Sequence, residues 1–198
     1  MEVKIDRRFD LPVSVEQAWA LLGDVRATAS CMPGAEVTEQ VSERQFKGIM
    51  RSRIGPASMT FSGQIEVLEL DASTRTLRLL GKGGDTAGSA ATMNLLARIE
   101  PGGSGDASVL VGDTTVSVSG RLAQFGSRLL LPVAETLLRT FVANFAQKAR
   151  AIPVTAGAIV APSPAPGVGV QPAQLNLVSF AWESFRQWLS NLFGGRRR

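Results

Sequence analysis

The chain has no histidine, no tyrosine and one cysteine, Cys31. Without histidine it lacks the side chain that most often serves as general base, metal ligand or triad member near neutral pH. Any acid–base work would fall to carboxylates, lysine or arginine. A lone cysteine excludes an intrachain disulfide and a thiolate metal cluster. Beside Met32 and Pro33, Cys31 reads as a small buried residue rather than a reactive one. Charge imbalance is also missing from most of the chain. Residues 1–150 carry 17 Lys/Arg against 16 Asp/Glu, a net +1, while residues 151–198 carry 4 against 1, a net +3. This balance argues against a nucleic-acid groove in the body. There is no uninterrupted apolar run of about 18 residues, and no basic segment leading into an apolar one at the N-terminus. A cytoplasmic body without signal peptide or spanning helix is therefore expected.

What is present begins with alternation. Val3, Ile5, Arg7, Phe9 and Leu11 interleave with Glu2, Lys4, Asp6, Arg8 and Asp10, the mark of a half-buried strand. Pro12 ends it. Ser14 and Gln17 form a capping box for a short helix, VEQAWALLGD. A second helical turn is expected over Val25 to Ser30, closed by the Pro33-Gly34 turn.

Period two then persists through successive hairpins from Glu36 to Val118. One face carries Phe46, Gly48, Met50, Ser52 and Ile54, then Met59, Phe61, Gly63, Ile65 and Val67, then Leu77, Leu79 and Gly81. Ala91, Met93, Leu95, Ala97 and Ile99 follow, and finally Leu110, Gly112, Thr114, Val116 and Val118. This face mixes methionine and glycine with few bulky branched residues, so a curved, thinly lined antiparallel sheet is expected. A long helix follows over residues 121–150. Its apolar side carries Leu122, Leu129, Val133, Leu137, Phe141 and Phe145, and its exposed stripe Gln124, Arg128, Glu135 and Arg139, with Pro132 near the stripe. Thr136, Thr140 and Asn144 fall on the apolar side, where polar groups need partners. Either they bond to nearby backbone, or they line a cavity and meet a ligand.

Residues 151–176 contain five prolines and no charge. They read as a flexible linker spanning about 30 Å. Beyond it, residues 177–198 form an amphipathic helix. Leu177, Val178, Ala181, Trp182, Phe185, Trp188, Leu189, Leu192 and Phe193 share one arc, with only Phe180 out of place. Arg196, Arg197 and Arg198 complement its C-terminal dipole. Such a face needs apolar cover, from a lipid leaflet or from a groove on another protein.

The element order (strand, two short helices, six antiparallel strands, long helix) resembles the helix-grip fold of the START and Bet v 1-like (SRPBCC) superfamily. Within it, residues 1–150 resemble the family of carbon monoxide dehydrogenase G subunits. The likeness is carried by VEQAWALLGD, CMPGAE, FKGIMRSRIGPASMTFSGQIEVLELD and SGRLAQFGSRLL. It implies an α+β fold in which a curved antiparallel sheet wraps a long C-terminal helix over an apolar cavity. It also implies an accessory, non-enzymatic role beside a molybdenum-containing carbon monoxide dehydrogenase, coupling that enzyme to the membrane.

Joined to the tail, these readings outline a carrier without a resident cofactor, peripheral on the inner face of the cell membrane. Its cargo would be a respiratory quinone such as menaquinone or ubiquinone. Phe46, Met50, Met59, Phe61, Met93, Leu95, Val133, Leu137, Thr140 and Asn144 are the expected ligand contacts, the methionines because they adapt to a flexible chain. Phe180, Trp182, Phe185, Trp188, Leu189, Leu192, Phe193 and the three terminal arginines are the expected lipid contacts. Two alternatives remain at this level. One is a membrane anchor with a closed core. The other is a helix-grip enzyme using Arg7, Glu100 or Asp113, which form no evident pair in the sequence and read more simply as solvated strand residues.

Overall fold

The computed structural model describes residues 1–153 apart from 55, 56 and 104. Of the linker expected at 151–176, residues 154–176 lie outside the described residues, as does the amphipathic tail at 177–198 with all its expected lipid contacts. Ile152, by contrast, packs against the body, and its carbonyl accepts from the Gln17 side chain at 2.9 Å. The elements are β1 (Glu2–Leu11), α1 (Val15–Gly23), α2 (Val25–Ala29), β2 (Ala35–Gln40), β3 (Gln45–Ile54), β4 (Ala57–Asp71), β5 (Thr76–Gly84), β6 (Ala90–Pro101), β7 (Ser108–Ser119) and α3 (Gly126–Arg150). The strands form one antiparallel sheet in the order β1-β7-β6-β5-β4-β3-β2, and α3 lies across its inner face. This is the α+β helix-grip fold expected above.

Local chemistry explains the boundaries. The Ser14 hydroxyl accepts from the backbone N–H of Gln17, whose side chain accepts in return from the Ser14 N–H. Asp24 caps α2 by accepting from the Ala27 N–H at 2.9 Å. Pairing confirms the alternation: Met50 lies opposite Phe61, Gly81 opposite Met93 and Leu95 opposite Thr114, so these residues share the inner face. Bulges at Val37/Glu39 and Val67/Glu69 add curvature. Gly63 faces Gly83 across β4 and β5. A Cβ on Gly63 would come within 2.2 Å of the Lys82 carbonyl oxygen, so only glycine permits this bend.

The inner face packs in two separate clusters. The larger joins Leu11, Ala18, Leu22, Phe46, Val67, Leu77, Ala97 and Ile99 to Phe145 and Ala149 of α3. The smaller gathers Val118 and Leu122, with Met59, Phe61, Val116, Phe125, Leu130 and Val133 around them.

Three expectations about the last helix need correction. It is not continuous over 121–150: a 3-10 segment, Gly120–Phe125, precedes α3, and the break falls at Gly126, whose φ is 66°. Leu129 is not part of the core but 50% exposed, because the first turns of α3 seat Leu130 and Val133 on the smaller cluster instead. Glu135 is not a solvent-stripe residue, since Arg7 of β1 binds it across the fold. By length and composition Gly120–Arg150 is apolar enough to cross a bilayer, and only 6% of its most apolar 18-residue window is buried. Its C-terminal half is nevertheless seated on the sheet through Phe141, Phe145 and Ala149.

Candidate functional site

Between the two clusters the inner face stays open. Ile5, Met50, Met93, Leu95, Gly112 and Thr114 are only half-buried although they sit in paired strands beneath a helix, and Leu137 of α3 is half-buried above them. Residues so placed in a filled core would be fully buried at native packing density. The most direct sign of space is Gly112, where an added Cβ would meet no atom within 4 Å.

Leu137 also belongs to a cleft beside β3. Strand β2 pairs with β3 as far as Ala35–Met50, and the Arg51 N–H donates to the Gly34 carbonyl at 2.8 Å. Among the described residues the edge of β3 is therefore without a strand partner on that side only from Ser52 to Ile54. There a cleft of about 430 Å³ is lined by Pro33, Gly34, Arg51, Ser52 and Arg53 on one lip and Pro132, Val133, Thr136 and Leu137 on the other. The opposite side of the grip is tied instead. Arg7 Nε donates to Glu135 Oε1 at 3.1 Å and a second guanidinium nitrogen donates to the same oxygen, which joins β1 to α3. A second depression of about 480 Å³ is lined by Lys4, Asp6, Leu68, Arg78, Asn94, Leu96, Asp113 and Thr115, and also by Ile5, Leu79, Leu95 and Thr114. Most of these alternate with the inner-face residues and so lie on the outer face of the sheet.

The expected ligand contacts separate into groups. Val133 and Leu137 line the cleft, and Met50 and Met93 belong to the half-buried strip. Leu95 and Phe46 adjoin the larger cluster, Phe46 as a buried member. Met59, Phe61 and Val133 surround the smaller one. Thr140 is exposed and its hydroxyl donates to the Thr136 carbonyl at 3.0 Å, as Thr136 does to Pro132 at 2.9 Å. The Asn144 side chain donates to the Cys31 carbonyl at 2.9 Å, fastening α3 to the end of α2. These three polar groups therefore all have backbone partners.

The acid–base candidates are also placed. Arg7 and Glu100 form no pair with each other, and each has an ion-pair partner elsewhere on the surface. Arg7 binds Glu135, and Glu100 accepts from Arg8 at 2.6 Å and from Arg98 at 2.7 Å. Glu135 and Arg8 are remote in sequence from their partners, 128 and 92 positions away, whereas Arg98 is the same-face neighbour of Glu100 on β6. The Arg98 bond, then the Arg8 bond, hold the Glu100 carboxyl below the usual carboxylate range. Asp113 lines the outer-face depression. Cys31 is fully buried, and desolvation pushes its thiol pKa up against the opposing field of Lys148. Sequence reasoning missed Pro33, Arg51, Arg53 and Pro132 as cleft residues, while Thr136, one of its possible cavity-lining groups, does line the cleft. Only the PGAE turn and the helix proline hinted at them.

In comparisons with known proteins, no curated protein matches the chain in sequence. Among solved structures it is similar in fold to a conserved protein from Geobacillus kaustophilus, at TM-score 0.68 and 20% identity, covering 75% of this chain and 96% of that one. A START superfamily protein from Mycobacterium smegmatis is similar at TM-score 0.54 and 14% identity, with 75% and 97% covered. The ZhuI aromatase/cyclase of a Streptomyces species is similar at 0.55 and 13%, with 76% and 94% covered. At these identities the likeness is one of fold. The sequence pattern of the family of carbon monoxide dehydrogenase G subunits (CoxG) matches residues 8–150.

Proposed function

The chain belongs to the CoxG family of carbon monoxide dehydrogenase G subunits, and from that premise we propose that it is an accessory carrier which holds a respiratory quinone beneath α3 and couples a molybdenum carbon monoxide dehydrogenase to the membrane. One observation carries the cargo part: the strip around Gly112, Met93, Thr114 and Ile5 is left half-buried between two packed clusters, beneath Leu137, which also lines the cleft between α3 and β3. A prenylated quinone suits that space, because its chain must be shielded from water and needs an adaptable lining. Met50, Met93, Val133 and Leu137 are the contacts this geometry favours. Thr140 and Asn144 suit a head-group less well, since each already has a backbone acceptor.

The membrane part rests on the tail, whose seven or so large apolar side chains offer a gross gain above about 10 kcal/mol on burial, reduced by the ordering of the helix. A cytoplasmic body standing on the inner leaflet follows from the same reading. An enzyme reading draws less support, because Arg7 and Glu100 are engaged in ion pairs that brace the sheet.

The test is solvent extraction and mass spectrometry of the full chain after incubation with quinone-loaded vesicles. A near-stoichiometric prenylated quinone is expected. If none is retained, the carrier reading fails and only anchoring is left.

A further inference from the structure

From the rim of the cleft we infer a second lipid contact, separate from the tail: the body docks on an anionic bilayer with the cleft mouth against the membrane. Three features converge there. The first is exposed apolar surface. Leu129 is 50% and Leu131 is 41% exposed. On a helix at about 100° per residue, Leu129 lies one turn before Val133 and on the same flank as Pro132 and Thr136, which form one lip of the cleft. Leu131 lies about 160° round the helix from Leu129 and is not part of this rim. A large aliphatic side chain left outside at the rim is what an interfacial contact inserts among acyl chains.

The second feature is charge. Arg51 and Arg53 form part of the facing lip, and Arg128 is exposed next to Leu129. Arg51 is paired with Glu36 at 3.2 Å, whereas Arg53 and Arg128 take part in no ion pair among the described residues. The nearest acid on α3, Glu135, is taken up by Arg7. An exposed leucine beside two uncommitted arginines matches an anionic headgroup layer over an acyl region, since arginine binds phosphate in forked geometry while its stem stays in the interface.

The third feature is the cleft itself. It shares Leu137 with the half-buried strip, and if the two are continuous the same contact lets an apolar ligand pass between bilayer and protein without crossing water. That consequence rests on the carrier reading, whereas the docking does not.

The test uses the full chain with Leu129→Cys carrying an environment-sensitive nitrobenzoxadiazole probe. The native Cys31 is fully buried and does not compete for label. A second variant, Glu69→Cys, places the probe on β4, away from the cleft. With phosphatidylglycerol/phosphatidylcholine vesicles containing doxyl lipid, quenching is expected at position 129 but not at 69. Arg53→Gln and Arg128→Gln should each weaken the position-129 signal about fivefold in vesicle concentration, the share expected of one arginine near anionic lipid. Flotation of the same samples reports whether the chain is on the vesicles at all. The inference is overturned if the floated chain shows no quenching at 129. It is overturned equally if both positions quench alike, or if the probe at 129 is already shielded without vesicles, meaning that another part of the chain covers the patch. Quenching at 129 with no quinone in the solvent extract would support docking while rejecting cargo, so the two readings fail separately.

Discussion

Arg7 on β1 and Glu135 on α3 stand 128 positions apart, yet Arg7 Nε donates to Glu135 Oε1 at 3.1 Å while Arg7 Nη1 donates to the Asp6 carbonyl at 2.8 Å. One side of the grip is thereby tied by an ion pair and the other is open at the cleft. With side chains 47% and 35% exposed, the pair contributes little to global stability, less than about 1 kcal/mol. Its expected effect is local. Glu135→Gln should speed amide hydrogen exchange over the first turns of α3 with a nearly unchanged melting temperature. Unchanged exchange there would mean the pair does not hold the helix down.

Gly112 provides the direct test of the cavity. Gly112→Phe should fold with stability within about 1 kcal/mol of the parent, because no atom lies within 4 Å of the added Cβ. A filled core would exact about 1–3 kcal/mol for such overpacking. The same variant should lose bound quinone roughly tenfold while still floating with vesicles. Electron transfer to the membrane that survives the substitution would favour anchoring over carriage.

Asn144 and Thr140 should differ sharply. Asn144→Leu removes the donor to the Cys31 carbonyl in a half-buried place, and the orphaned acceptor should cost about 1–3 kcal/mol in urea unfolding. Thr140→Val removes only an exposed hydroxyl bonded within its own helix and should fall within about 0.5 kcal/mol of neutral. Equal costs would contradict the assigned tie between α3 and α2.

Asp71 should report on acid stability. The Ser73 hydroxyl, then the Thr74 hydroxyl, with the Ser73 backbone N–H, hold its carboxyl at about 2, down from 3.8. A depressed folded pKa gives stability that is present above the unfolded pKa and lost as pH falls through the folded one. Asp71→Asn should therefore lower the melting temperature at neutral pH, and the gap to the parent should close between about pH 4 and pH 2. A gap that does not depend on pH would reject the assignment.

The Cys31 thiol is fully buried and its pKa raised by desolvation, so iodoacetamide at neutral pH should leave the native chain unlabelled and modify it fully in urea. Rapid native labelling would mean that the α2 end opens readily.

Much of the fold could be read directly. The strand alternation, the Ser14–Gln17 capping box and the period-two hairpins are local patterns with one physical solution, and pairing such as Met50 with Phe61 follows once the faces are assigned. The break at Gly126 could not be told from a helix-interior glycine, because its positive φ depends on how the 3-10 segment docks at Leu122. The polar residues of α3 were ambiguous for a similar reason: a wheel gives the side of a helix but not whether a carbonyl 113 positions away is waiting there.

The candidate site divides in the same way. Methionine and glycine among the inward residues marked the lining as thin, and that much is composition. The two clusters with a half-buried strip between them, the edge of β3 beyond Arg51 and the pairs Arg7–Glu135 and Arg8–Glu100 belong to tertiary structure alone. Residue order determines which side chains can share a face, since alternation is local. Which of those faces is filled, tied or left open depends on contacts between segments a hundred residues apart, and only the closed sheet beneath its helix brings those together.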